Sequence, residues 1–459
     1  MTQSIGYSLG ERTRACRPRR HRCDLAAAGI TLIVFVAGLT PTDGHAFSKS
    51  ADPVSAASDS LTLDQVIEET LRHNDFVSAA RFMEDAARRR ASPAGAWEDP
   101  MLMVGVDNVP TSFDFKEDMM TMTMIGVSQT IPLAGDKGLQ AKAADKEADA
   151  AREKRRFTEA DVTASAKMAY YELHYRTAIV ADLERQLEIL EQIVESATAK
   201  LRANQAGQDE VLSSQAEVWR LETMILSAEQ QVDAARYTLN NLRGADLASP
   251  VALAAPPRFS AVPDSPDSWV EIADRQYPPL QQLARQSESY AYSADAARRM
   301  RWPMLTLSGS YGFRADSEME KRDDMISLFA SFSLPIFKGR RQSDMALSMD
   351  AMERGTSAEA AQMRREVRSE ILTLHDRATR LQKSLELYSN RVIPTAEDAY
   401  QSALSGYINN RTSFTALLSY AQAVIRDRIA TNDIANELAM TLSEVERYTW
   451  VPEERTEAR

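Results

Sequence analysis

The stretch MMTMTMIGVSQTIPLAGDKG, residues 119–138, contains the transition that decides the fold. Methionine and threonine alternate at its start, which is typical of a β-strand with two different faces. Pro132 and Gly135 then interrupt the alternation, and a long run rich in alanine and charged residues begins. Because this run has no proline from 138 to 201, it predicts a helix of ~64 residues, roughly 95 Å long. The strand therefore leads into a rod that is too long for a globular core to cover.

The same pattern occurs twice along the chain. DPMLMVGV at 99–106 matches WPMLTLSG at 302–309, and SQTIPLAG at 128–135 matches SFSLPIFKG at 331–339. In both matches the two prolines are separated by 203 residues. Two separate matches at one offset indicate a tandem duplication with a period of about 200 residues.

Each copy is predicted to contain a helix, then a β-hairpin, then a coiled-coil hairpin. The predicted ranges are an N-terminal extension at 47–61, a first repeat at 62–246 (helix 62–92, β-hairpin 99–131, coiled-coil hairpin 136–246), a proline-rich connector at 247–268, a second repeat at 269–447 (helix 276–300, β-hairpin 302–334, coiled-coil hairpin 340–447) and a polar tail at 448–459. The connector contains too much proline for a helix.

Apolar residues in the long helices recur at steps of three and four, which is the heptad pattern of a coiled coil. Examples are Val180, Leu183, Leu187, Leu190 and Val194 in the first repeat and Ile371, Leu374, Ala378, Leu381 and Leu385 in the second. A short polar break divides each pattern, so we expect antiparallel hairpins. Asn204 and Asn410 lie in these breaks, and asparagine tolerates the left-handed conformation that a tight turn needs. Both are predicted tip residues.

The N-terminus predicts export. A segment with six arginines between residues 12 and 22 precedes an apolar run from Leu25 to Thr40, and small residues follow up to Ala46. We expect residues 1–46 to be a removable Sec-type signal peptide. Both cysteines, Cys16 and Cys23, lie inside it, so the mature chain is expected to have no disulfide and no lipidated cysteine. Removing this net charge of +3 changes the total from −12 to −15, which disfavours nucleic acid as a partner.

Four alternating strands of about 8 to 10 residues fit the tilted strands of a membrane barrel. Four strands cannot close a barrel, and open sheet edges are not tolerated in lipid. Several copies must therefore share one barrel, and two, three or four copies would supply eight, twelve or sixteen strands. The predicted junctions, where strand in lipid meets helix in water, are Pro132, Gly135, Pro335 and Gly339.

These features together resemble the TolC-like outer-membrane efflux proteins. The resemblance rests on the duplication, on the junctions SQTIPLAGDKG and SLPIFKGRR, and on the turn segments ending QDEVL and FTALL. It implies a mainly α-helical homotrimer with a 12-stranded barrel in the outer membrane of a Gram-negative bacterium and a 12-helix α-barrel in the periplasm. It also implies a passive exit duct, neither enzyme nor cofactor-dependent, with a periplasmic adaptor and an inner-membrane pump of RND or ABC type as partners.

The family closes its periplasmic tips with polar contacts near the two turns. The matching positions here hold Glu210, six residues past the first turn, and Tyr407, three before the second. The family's basic partner is absent because Thr412 occupies its position, but Arg411 is adjacent. We therefore treat Glu210, Tyr407 and Arg411 as candidate gate contacts. The alternative is that these residues are ordinary surface and seam positions of the coiled coil.

Met101, Met103, Met120, Met122 and Met124 lie close together in the first β-hairpin. Thioethers are soft ligands that suit Cu(I) or Ag(I), so these residues form a candidate path for soft metal ions. The simpler alternative is that methionine supplies a flexible apolar surface towards lipid or neighbouring side chains. DNVPTSFDF and MTMTMIGVSQTIPL are most similar to the metal-exporting branch of the family, which indicates copper or silver as cargo.

Other classes of function have less support. His73, His174 and His375 are far apart in the sequence and lack metal-ligand spacing; hydrolase, nucleotide and dinucleotide motifs are absent. Drug efflux and type I secretion are alternative cargoes for the same duct. A periplasmic adaptor would have one coiled-coil hairpin rather than two, and a structural coiled-coil protein would have no β-hairpins.

Overall fold

The computed structural model describes residues 60–115, 117–255, 259, 261–316, 321–337 and 339–450. The predicted signal peptide, nearly all of the predicted N-terminal extension and most of the predicted tail lie outside the described residues.

The described strands form one antiparallel sheet in the order β1-β2-β3-β4. Their bounds are β1 Met101–Asp107, β2 Met122–Pro132, β3 Met304–Arg314 and β4 Met325–Phe332. Pairing of β2 with β3 joins the two repeats side by side, from Met122↔Arg314 to Pro132↔Met304. Within the described residues, β1 and β4 have no further partner strand. The sheet is therefore an open ribbon with two free edges.

The described part of the first repeat contains four helices. They are α1 Leu63–His73, α2 Asp75–Gly95, α3 Asp136–Arg202 and α4 Gln208–Arg243. The single helix predicted at 62–92 is wrong, because Asn74 is extended and its side chain accepts a hydrogen bond from the Phe76 N–H at 2.9 Å. This N-cap begins a new helix immediately after α1 ends.

The described part of the second repeat contains five helices. Its helices are α5 Asp267–Gln276, α6 Pro278–Arg299, α7 Gln342–Leu387, α8 Ile393–Ile408 and α9 Phe414–Thr449. The predicted connector at 247–268 extends slightly too far, because α5 begins inside it. A π-helical turn at Tyr388–Val392 joins α7 to α8. Pro394 follows this turn and cannot donate a backbone hydrogen bond, which is a common cause of such a bulge.

The longest described helix, α3, packs against helices of both repeats. At 67 residues it is about 100 Å long, and it contacts α2 and α6 along one part and α4 and α9 along another. Buried apolar residues form clusters along its length, one around Tyr170 and Leu239 and another around Leu190 and Leu417. No helix in the described part of the chain has an apolar stretch long enough to cross a membrane.

Candidate functional site in the strands and at the helical tips

The sheet has one strongly apolar face. Strand register places Leu102, Val127, Gly309 and Leu328 in one row across the four strands. The next row on that face contains Val104, Ile125, Tyr311 and Ile326. We call this side the apolar face; Thr123 and Gln129 are polar exceptions on it. Its side chains are exposed in the single chain, so it needs a nonpolar environment outside the chain.

The opposite side combines methionine with small residues, and we call it the methionine face. One row contains Met103, Gly126, Ser310 and Ser327, and the next contains Gly105, Met124, Gly312 and Met325. Small residues beside Met103, Met124 and Met325 leave room for their thioethers to lie along the sheet. Met122 is paired with Asp107 and Arg314, and its sulfur covers the Cα of Gly312, since a Cβ built there would lie 2.5 Å from it.

The methionine face is covered at Met122 but open elsewhere. In β2, Met122 is 7% exposed whereas Ile125 and Val127 on the apolar face are 45% and 52% exposed; outside β2, Met103 and Phe329 on the methionine face are 42% and 65% exposed. A hollow of about 360 Å³ lies over this face, with Met103, Met122, Met124, Ser308 and Phe329 among its lining residues. An open sheet that curls towards the methionine face would enclose it and leave the apolar face outside.

The structure brings four of the five predicted methionines to this face. Met101, Met103, Met122 and Met124 share it, while Met120 lies in the loop before β2. Met325 also belongs to the face and was missed. The repeat offset of 203 residues could have identified it, since that offset relates Met122 to Met325. Among the described residues, no cluster of three or more His, Cys, Asp or Glu side chains is placed to hold a metal ion.

The two strand-to-helix junctions differ in conformation. Pro132 ends β2, and Gly135 adopts a left-handed φ of +69° as the N-cap of α3. The guanidinium of Arg299 donates to the Ala134 carbonyl at 3.1 Å, which fastens this junction to α6. In the second repeat, Pro335 and Gly339 lie between β4 and α7. A positive φ is not found at Gly339, so only the first junction uses glycine for a left-handed turn.

The two helical hairpins end in similar turns. Asn204 and Asn410 have φ values of +54° and +57°. The next residue in each turn donates its N–H back across five residues, from Gln205 to the Lys200 carbonyl at 2.8 Å and from Arg411 to the Gly406 carbonyl at 2.7 Å. This is the hydrogen bond of a Schellman motif, in which asparagine is the common non-glycine residue.

Tyr407 and Glu210 meet near these turns. The Tyr407 hydroxyl donates to Glu210 Oε2 at 3.1 Å, which joins α8 of the second hairpin to α4 of the first. Tyr407 is only 3% exposed and packs against Phe414. Burial, with a contribution from Glu210, raises the pKa of Tyr407 to about 12. The hydroxyl is therefore protonated at physiological pH and serves as the donor.

A lysine that the sequence analysis missed joins this contact. Lys200 Nζ donates to Asn410 Oδ1 at 2.8 Å and to the Tyr407 carbonyl, and it lies 3.8 Å from the centre of the Tyr407 ring. Arg411, by contrast, is exposed and forms no ion pair with the described residues. No local signal distinguishes Lys200, because its partners are more than 200 residues away in the sequence.

No protein-family model matches the sequence, and no curated protein matches it significantly. Solved structures do match. The outer-membrane channel OprN has a TM-score of 0.70 and 18% identity over 84% of this chain and 89% of its own. VceC, an outer membrane protein from Vibrio cholerae, has a TM-score of 0.69 and 16% identity, covering 84% and 96%. CusC, whose structures concern folding and transmembrane channel formation, has a TM-score of 0.68 and 15% identity, covering 83% and 91%.

The chain has a TolC-like fold. This confirms the predicted fold class, mainly helical with a small sheet. At identities of 15% to 18% the shared property is the fold. Assembly, cargo and partners of this TolC-like chain are therefore argued from its own residues.

Proposed function

We propose that the protein is the outer-membrane exit duct of a tripartite export system and conducts cargo passively, without a catalytic step. The observation that carries this proposal is the open sheet, which has an apolar face and two unpaired edges. The chain leaves this sheet after β2 and continues into a rod of about 100 Å. Unpaired edges are not tolerated in lipid, so copies must join β4 of one chain to β1 of the next. Three copies would close a 12-stranded barrel, as in the expected homotrimer.

The helices support the same assembly. In the described helices, α3 contacts both α4 and α9, and α9 contacts α8, while α4 and α8 meet near the turns through Glu210 and Tyr407. Leu212, Trp219 and Leu226 are exposed on α4 at seven-residue spacing. This is the spacing of a coiled-coil seam without its partner helix. Covering it with a second copy would close the helices into a tube beneath the barrel.

The proposed location is the outer membrane of a Gram-negative bacterium, with the helices in the periplasm. The turns at Asn204 and Asn410 form the end of the helical part that is farthest from the sheet. We assign to this end the contacts with a periplasmic adaptor and an inner-membrane pump of RND or ABC type. The net charge of −12 disfavours a nucleic-acid partner.

Reconstitution tests the exit duct directly. Protein extracted from outer membranes is expected to require detergent, to migrate as a trimer in unheated gels, and to form ion-conducting pores in planar lipid bilayers. Boiling should convert the trimer to a monomer, which provides the internal control. A water-soluble monomer that needs no amphiphile would overturn the proposal.

We propose soft monovalent metal ions, Cu(I) or Ag(I), as the cargo. This finer assignment is supported by the methionine face, because a barrel with its apolar face in lipid has the thioethers inside. In such a barrel these methionines face water, so contact with lipid does not explain them. This argues against the lipid-facing form of the simpler alternative, in which methionine only supplies a flexible apolar surface. Thioether sulfur prefers soft cations such as Cu(I), whereas carboxylate, carbonyl and water oxygens suit harder cations.

A deletion strain complemented with variants tests the cargo. Replacing Met103, Met122, Met124 and Met325 together by leucine preserves apolar volume and removes the sulfur ligands. We expect this variant to restore trimer formation but to leave the strain more sensitive than wild type to silver and copper. Zinc and cobalt tolerance, and single-channel conductance in potassium chloride, are the controls. Wild-type tolerance of the deletion strain to copper, silver, zinc, cobalt and cadmium would reject a metal cargo.

A further inference from the structure

We infer that Lys200 is the basic residue that holds the helical tips together in the resting duct. The inference rests on the proposed exit-duct function and assigns a role to a residue that the family pattern does not indicate. The basic position expected two residues past the second turn is occupied by Thr412. In this chain, the ammonium group comes from the other hairpin.

Lys200 makes its contacts with one short segment of the second hairpin. Its ammonium reaches the Tyr407 carbonyl, the Asn410 side-chain amide oxygen at 2.8 Å, and the face of the Tyr407 ring at 3.8 Å from the centroid. All three belong to the C-terminal end of α8 and the turn that follows it. Carbonyls at a helix C-terminus lack intrahelical partners and carry partial negative charge, and an aromatic face attracts a cation.

Tyr407 is held from two sides by the first hairpin. Its hydroxyl donates to Glu210 on α4, and its ring and carbonyl contact Lys200 on α3. The aromatic side chain is therefore fixed between an acid and a base that both belong to the partner hairpin. Displacing the second hairpin from the first at the tip would break every one of these contacts.

The chemistry of the contact suits a reversible closure. Lys200 is half-buried, so its contacts are weaker than those of a fully buried charge and decrease with salt. The hydrogen bond from Gln422 to Glu217 at 2.8 Å also joins α9 to α4, farther from the turns. Loss of Lys200 should therefore free the tip while leaving a second link between the hairpins in place.

Single-channel recording of the purified trimer in planar bilayers tests the inference. Lys200→Met is expected to raise single-channel conductance several-fold over wild type. Arg202→Met is the matched control, because Arg202 is exposed at the end of the same helix and has no ion pair with the described residues. It should conduct like wild type. Tyr407→Phe with Glu210→Gln should also raise conductance, and adding Lys200→Met should then have a smaller effect, since the groups act on the same tyrosine.

A second pair of variants removes the acceptor rather than the lysine. Asn410→Gly keeps a residue that tolerates the φ of +57° and removes the amide oxygen. We expect it to raise conductance, whereas Asn204→Gly, at the matching turn without a lysine contact, should not. Wild-type conductance in both Lys200→Met and Asn410→Gly, with intact trimers, would overturn the role of Lys200. Failure of wild-type protein to form pores at all would instead contradict the exit duct.

Discussion

Leu328→Arg is expected to abolish recovery of the trimer from the outer membrane. Leu328 lies in the middle of β4 on the apolar face and is 81% exposed in the single chain. In the proposed barrel its side chain points into lipid, where an arginine near the bilayer midplane costs roughly 2–4 kcal/mol. Three copies repeat the penalty in one barrel. Immunoblotting of unheated outer-membrane fractions measures the effect.

Ser327→Arg is the matched control for Leu328→Arg. Ser327 is the preceding residue of the same strand, but its register partner is Ser310 on the methionine face. An arginine there would enter the water-filled interior and should leave the amount of trimer close to wild type. Equal loss from both variants would contradict the assignment of the faces, and equal tolerance would contradict contact of the apolar face with lipid.

The repeated pattern was sufficient to predict the fold class. Alternation in the strands predicts two faces, and the heptad spacing predicts rods that pack against other rods. Which methionines share a face depends on register, because a shift by one residue exchanges the faces of a strand. Alternation within β2 places Met122 with Met124, and the repeat offset points to Met325, but the pairing Gly312↔Met325 is what places β4 on the same surface.

The contacts at the helical tip include residues that the sequence predicts and one that it does not. The turns at Asn204 and Asn410 were predictable because a left-handed residue leaves a local signal. Lys200 was not, because its contacts depend on how two hairpins pack, and a basic residue in the last turn of a helix is common. Arg411 is a candidate because it is adjacent to Thr412 in the sequence, yet it is exposed and forms no ion pair with the described residues. The separation of α1 from α2 was also missed, although Asn74 is a recognisable N-cap residue.

Gly126→Ala is expected to lower the temperature at which the trimer dissociates, or to prevent assembly. Gly126 lies in β2, and a Cβ built there would be 2.7 Å from the Ser310 Cβ and 2.8 Å from the Gly309 carbonyl oxygen. Both atoms belong to β3, the strand that joins the two repeats, and the carbonyl cannot move without disturbing the ladder. Overpacking of this kind costs typically 1–3 kcal/mol per site, and three copies are affected in each barrel.

Two other glycines of the sheet provide a graded comparison for Gly126→Ala. A Cβ at Gly312 would meet the Met122 sulfur at 2.5 Å, but a thioether at the end of a flexible side chain can move aside. A Cβ at Gly105 has no neighbour within 4 Å in the chain. The dissociation temperature in gel assays should therefore fall most for Gly126→Ala, less for Gly312→Ala and least for Gly105→Ala. Because the order depends on the pairing of β2 with β3, an equal response at all three positions would show that this register is wrong.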